Sequence, residues 1–183
     1  MAAICVFCAS SRTLAPQWLD LASTVGAEIA RRGHVLVSGG GRVGMMGAVA
    51  AGARTAGGYT YGVMPQSLVD REIADTASDE LVVTDGMASR KNLMIEKADA
   101  FLVLPGGLGT LDELFEVWTT AMLGAHDKPV VVLDAGGFYG GLMAWVRGLA
   151  PSFVRPAALD LLVVVDSTPA ALDAIEARVG VGS

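Results

Sequence analysis

The chain has 183 residues, 52% hydrophobic and 17% charged, which suits one compact domain whose core needs neither a metal nor a disulfide staple. A formal net charge of −6 argues against non-specific binding to nucleic acid or an acidic membrane, though not against a small anion held by local donors. No apolar run of about 18 residues is present to span a membrane, and the opening MAAICVFCASSR lacks the basic lead of a signal peptide, so a soluble cytoplasmic protein is expected.

The first strand candidate, ICVFCA, carries Cys5 and Cys8 in a C-x-x-C spacing. A redox pair of this kind sits at a helix start, where the dipole lowers a thiol pKa. These two lie three residues apart on a strand, hence on opposite faces. The only histidines, His34 and His126, offer little support for a zinc site. Buried structural thiols are expected. A helix follows over residues 16–32, where Trp18, Leu21, Ala22, Val25, Ala27 and Ile29 mostly repeat at three or four residues.

The second strand, HVLVS, runs directly into SGGGRVGMMG, in which Gly39, Gly41 and Gly44 satisfy G-x-G-x-x-G. A dinucleotide site would want an acid at the end of the next strand, yet YTYGVMPQSL ends without one, and no Gly-Lys-Ser/Thr follows for a P-loop. Two readings stand: a phosphate near Ser38, Gly39, Gly40 and Gly41, or tight strand–turn–helix packing, which Gly47 would serve. The stretch from Ser67 to Asp79, with Asp70, Arg71, Glu72, Asp75 and Asp79, reads as a short helix or loop near a functional edge.

The remaining strands are ELVVT, AFLVL, PVVVL and LLVVV. Val-rich runs alternating with helical segments predict a single α/β domain over 1–183, with a Rossmann-like, doubly wound, mostly parallel sheet of about seven strands flanked by helices. Ligands of such sheets bind outside the carboxyl ends of the strands. Both glycine loops, SGGGRVGMMG and PGGLGT, follow strands and should emerge on that same side.

After PGGLGT, the spacing of Leu111, Leu114, Phe115, Trp118 and Met122 predicts a helix with one apolar face and Glu113 roughly opposite. Thr110 and Glu113 spell a capping box, and Asp112 would be favourable in a first helical turn. The alternative is a bipartite site. A phosphate would rest on the amides of Gly107 to Thr110, and the carboxylates one turn further on would face a sugar.

PGGLGTLDE, SGGGRVGMMG and the MASRK segment together resemble the Lonely Guy (LOG) family, the cytokinin-activating phosphoribohydrolases long filed as possible lysine decarboxylases; the similarity runs from CVFCASS through DREI to GAHDKPVVVLD. The resemblance implies a Rossmann-like homodimer without metal or cofactor. It also implies hydrolysis of the N-glycosidic bond of a cytokinin riboside 5′-monophosphate, a small-molecule nucleotide, to free base and ribose 5-phosphate. By motif match it places catalytic roles on Arg90 and Glu113, and ligand contacts on Glu72, Lys91, Gly107, Leu108, Gly109, Thr110, Leu111 and Asp112. Ala88 and Ser89 stand where family members often carry His and an acid or amide.

The chemistry fits these residue types. Departure of a purine builds positive charge on ribose, which a carboxylate such as Glu113 stabilises. Arg90 could donate to the leaving base or clamp phosphate with its bidentate fork, or Arg90-Lys91 could be a solvated helix start. Glu72 could reach ribose or base, or be plain surface. A pyridoxal-dependent decarboxylase would need a Schiff-base lysine beside a phosphate loop. Lys97 and Lys128 adjoin neither glycine loop, and Lys91 is better explained beside Arg90.

Overall fold

The computed structural model describes residues 1–71 and 73–180. Its strands are β1 (Ala3–Phe7), β2 (Val35–Ser38), β3 (Thr60–Pro65), β4 (Glu80–Thr84), β5 (Ala100–Val103), β6 (Val130–Leu133) and β7 (Leu162–Val165). They form one sheet in the order β4-β3-β2-β1-β5-β6-β7, every neighbouring pair parallel. The seven apolar runs read from the sequence are these seven strands.

The helices are α1 (Pro16–Arg31), α2 (Gly44–Thr55), α3 (Gln66–Val69), α4 (Met87–Lys97), α5 (Leu108–Met122), α6 (Gly140–Gly148), α7 (Pro156–Leu159) and α8 (Thr168–Val179). Side chains of α1, α2 and α8 pack on one sheet face with Ile4, Val6 and Cys8, while α4, α5 and α6 cover the other with Cys5 and Phe7. The period of two along β1 thus sends Cys5 and Cys8 into different cores, and both are free and buried, as expected. Full burial of side chains such as Leu102, Leu104 and Leu133 stabilises the fold by roughly 1.5–3 kcal/mol each.

The chain leaves β1 through α1 towards β2 on one side, and β5 pairs with β1 on the other. The winding therefore reverses between β1 and β5, and the crevice for a ligand opens at the carboxyl ends of these strands. At the opposite end of the sheet, Arg32 bridges to Asp173 at 2.6 Å and Glu176 at 3.1 Å, tying α8 down. Among the described residues, no helix is long and apolar enough to cross a membrane.

Helix α5 differs from its sequence reading. Its buried residues are Thr110, Glu113, Leu114, Val117 and Trp118, whereas Phe115 and Met122 are exposed. The apolar residues cover two adjacent faces of the helix, one against the sheet and one towards an open groove. Glu113 is not opposite the core, because α4 flanks α5 and closes over that side: Glu113 shares a small gap with Phe7, Lys91 and Ile95.

Candidate active site

The loops after β1, β2 and β5 converge on one cavity of about 480 Å³. Gly39 and Gly41 come from the first glycine loop, Gly107, Leu108, Gly109 and Thr110 from the second, and Arg90, Lys91, Asp112 and Glu113 from α4 and α5. The parallel sheet brings both loops to the same side, as their positions after strands required.

Arg90 enters this cavity from below. Helix α4 starts where the Gly86 amide donates to Ser89 Oγ at 3.1 Å, and the Ser89 hydroxyl in turn reaches the Asp85 carboxylate. Ser89 is thereby spent on the helix start, and neither it nor exposed Ala88 lines the cavity. The next residue, Arg90, is only 5% exposed. Its Nε donates to Val63 O at 3.0 Å and its Nη2 to Gly39 O at 3.1 Å. The guanidinium is therefore no solvated helix start. It lies across the first glycine loop, and a Cβ at Gly39 would stand 1.7 Å from Nη2. The remaining Nη1 faces Glu113 Oε1 at 3.9 Å.

Glu113 is 9% exposed. Burial pushes its carboxyl up from the ordinary 4.5 to about 7; the Arg90 guanidinium opposes the rise and the Asp112 carboxylate adds to it. The capping-box reading fails. Helix α5 begins at Leu108 with Gly107 as its N-cap, so Thr110 is already inside the helix and Glu113 lies past the first turn. Asp112 also misses the first turn and instead receives Lys91 Nζ at 2.9 Å. Lys91 pairs with Glu116 at 2.9 Å as well, and the hydrogen bonds to Asp112 and Glu116 raise its pKa.

The amides of the first loop are largely occupied from within. Gly40 N–H donates to Ser38 Oγ at 3.3 Å and Gly41 N–H to Met46 Sδ at 3.1 Å. Gly40 O receives the Asp75 amide at 2.8 Å, and the Asp75 carboxylate holds Arg54 at 2.8 Å. Ser38 and Gly40 thus sit behind the cavity wall, and Gly39 and Gly41 form it. Gly47 serves close packing, since a Cβ there would come within 2.2 Å of Arg42 O. In the second loop, Leu111 packs against the core rather than the cavity. Glu72 lies outside the described residues.

Sequence reasoning missed several lining residues. Ser10 and Ser11 follow β1 at the reversal of the winding, a position that fold topology alone could have flagged. Met46, Met64, Leu68, Ile73 and Met87 give the β2–β3 end an apolar wall, and Leu68 and Ile73 bring two residues of the 67–79 stretch to the cavity. Among the described residues, no group of three or more His, Cys, Asp or Glu is placed to hold a metal ion.

This arrangement defines a small-ligand site of the α/β doubly wound class: glycine-loop amides, one buried cation and one buried carboxyl around a crevice at the strand ends. A family model described as "Possible lysine decarboxylase" matches residues 46–175, and the chain belongs to that family. It is 55% identical over 172 residues to a Mycobacterium tuberculosis protein named cytokinin riboside 5′-monophosphate phosphoribohydrolase, covering 93% of this chain and 91% of that one. It is 38% identical over 174 residues to LOG3 of Arabidopsis thaliana, a protein with the same activity name, covering 94% and 80%. Among solved structures, the molybdenum cofactor carrier protein of Chlamydomonas reinhardtii superposes with a TM-score of 0.75 at 26% identity, covering 98% of both chains.

The residues do not fit the decarboxylase in the family's description. Lys91 is held as a cation by two carboxylates, Lys97 lies over the Tyr61 ring, and Lys128 Nζ donates to Ile95 O. None is a free amine at a glycine loop, where a Schiff base to pyridoxal phosphate would form.

Proposed function

We propose that this chain is an N-glycosyl hydrolase that releases the free base and ribose 5-phosphate from cytokinin riboside 5′-monophosphates. The observation that carries the reading is the buried Arg90–Glu113 pair between the two glycine loops. A binding protein needs donors for its ligand but no buried carboxyl beside them. The names of the mycobacterial and plant relatives support the substrate class.

In this reading the phosphate rests on the amides of Gly107 to Thr110 at the start of α5. The ribose faces Glu113 and Asp112, and Lys91 keeps Asp112 in place. The bond between C1′ and the purine nitrogen breaks with its electron pair leaving on the base. A water oxygen bonds to C1′; one water proton ends on the base and the other remains as the anomeric hydroxyl. Glu113, as carboxylate, stabilises the positive charge on the sugar and orients the water. Arg90 has two of its nitrogens fixed on backbone carbonyls, so it serves the leaving base through Nη1 rather than as a bidentate phosphate clamp.

A homodimer belongs to the same proposal. Phe115, Trp118, Met122, Trp145, Leu149 and Phe153 line an open apolar groove of about 370 Å³, in which Phe153 is 86% exposed and Trp145 64%. A surface of this size and character suits a second copy meeting it by two-fold symmetry. Two free thiols also fit a reducing cytoplasm.

The test measures base released from isopentenyladenosine monophosphate, its unphosphorylated riboside and AMP. Release is expected from the first, little from the second, and less from AMP than from the first. Tight monophosphate binding with no base released from any of them would leave a carrier, the role named for the structural neighbour.

A further inference from the structure

Tyr139 lies beneath the second glycine loop and is 1% exposed. Its hydroxyl donates to Leu104 O at 2.8 Å, and the Gly106 amide faces the same phenol oxygen. Its own amide donates to Asp134 Oδ1 at 2.6 Å, which anchors the turn between β6 and α6. From the other flank, Leu104 N–H donates to Phe7 O at 2.9 Å, and Ala9 N–H to Pro105 O at 3.2 Å. Residues 104–106 are therefore gripped from β1 on one side and from β6 on the other.

A phenylalanine would fill the same space. What it lacks is one atom that satisfies a carbonyl and an amide together, as donor to the first and acceptor from the second. We infer that Tyr139 is a positioning residue: through Leu104 and Gly106 it sets the direction in which the amides of Gly107 to Thr110 face the anionic end of the ligand. Burial raises the phenol pKa above its ordinary value, so the hydroxyl keeps the proton that it donates. No part of Tyr139 lines the cavity, so it acts only through the loop.

The inference rests on the phosphoribohydrolase reading for the identity of the anion, but its test does not require turnover. Tyr139→Phe is compared with Tyr61→Phe, a second buried tyrosine near the amino-terminal end of β3. For Tyr139→Phe the KM for isopentenyladenosine monophosphate should rise about tenfold with kcat changed less than about threefold, because ground-state binding of the phosphate is what weakens. Tyr61→Phe should leave KM unchanged. A loss of folded protein alone would lower kcat and leave KM in place, and that result overturns the inference. Affinity for ribose 5-phosphate, read from amide chemical shifts, should weaken about tenfold as well, roughly the loss of one charge-assisted contact. This arm stands even if wild-type protein releases no base. If Tyr139→Phe does not fold, Asp134→Ala, which loosens the same turn and keeps the phenol, should weaken ribose 5-phosphate in the same direction. Wild-type affinity in either folded variant refutes the role.

Discussion

Arg90 and Gly39 are fitted to each other: Nη2 donates to Gly39 O at 3.1 Å, and a Cβ at residue 39 would stand 1.7 Å from that nitrogen. The glycine that opens the G-x-G-x-x-G pattern is thus the floor on which a buried guanidinium lies. This relationship explains a nucleotide-type fingerprint without a dinucleotide. The loop's first requirement is room for Arg90.

Gly39→Ala should therefore act on catalysis through Arg90. The added methyl drives the guanidinium from Val63 O and Gly39 O, shifting Nη1 by roughly an ångström against Glu113. Displacements of that order cost about 100-fold in rate. Base release from isopentenyladenosine monophosphate should fall by about that factor, with far-UV circular dichroism unchanged. Activity within about threefold of wild type would refute the coupling.

Arg90→Lys keeps the charge but loses the fork. A lysine ammonium cannot donate to Val63 O and Gly39 O and also face Glu113 from one planar group. At least one buried carbonyl would be left unsatisfied, at a cost of about 1–3 kcal/mol. The expected result is a lower urea midpoint and base release reduced by at least about 100-fold. Equal stability with retained turnover would show that the fork is dispensable.

At α5 the local pattern and the tertiary packing diverge. The period of its apolar residues announced a helix, and PGGLGT announced a turn before it. What the period could not give was the burial of Glu113, because that depends on α4 lying alongside, a contact between residues far apart in sequence. Nor does spacing fix the helix start: Thr110 and Glu113 have capping-box spacing, but the Gly107 N-cap starts the helix sooner. Likewise Asp75 read as one acid in a polar stretch, and only the fold shows it bonded to Gly40 O through its amide and to Arg54 through its carboxylate. Val-rich strands were legible because burial on both faces is written locally. Pairings across the cleft are not.

Glu113 links activity to pH. With its pKa raised by burial to about 7, the ligand-free carboxyl is about half protonated at neutrality. The role proposed for it needs the carboxylate, so kcat/KM should rise with pH through about 7 and level above it. Glu113→Gln should lose about 1,000-fold in base release, comparable to removing a preorganised electrostatic group, and the residual rate should lose this ascending limb. An unchanged profile in the glutamine variant would assign the titration to another group.

The same shift fixes the sign of a stability effect. Between 4.5 and about 7 the folded protein retains a proton that the unfolded chain has released. The contribution is complete below 4.5 and is lost as pH rises through 7, by about 3 kcal/mol in all. Glu113→Gln cannot ionise, so it should gain stability relative to wild type between pH 5.5 and pH 8. Urea midpoints at the two pH values measure this. A wild-type–variant difference that stays constant would contradict the burial of a titrating carboxyl.

The groove beside α5 gives a separate test, of assembly. Phe153 and Trp145 project from it while Trp118 forms its base, its Nε1 donating to Ala158 O at 2.7 Å. Exposed aromatic anchors over a fixed floor resemble the hot spots that dominate interfaces, where one truncation costs 2 kcal/mol or more, about a 30-fold weaker association. Sedimentation should find wild-type protein dimeric at micromolar concentration. Phe153→Asp adds a charge to the apolar contact and should shift it to monomer, yet the thermal midpoint of the monomer should drop little, because Phe153 packs into no core of its own. A wild-type monomer at that concentration, or a Phe153→Asp dimer of wild-type strength, would place the partner of this groove elsewhere.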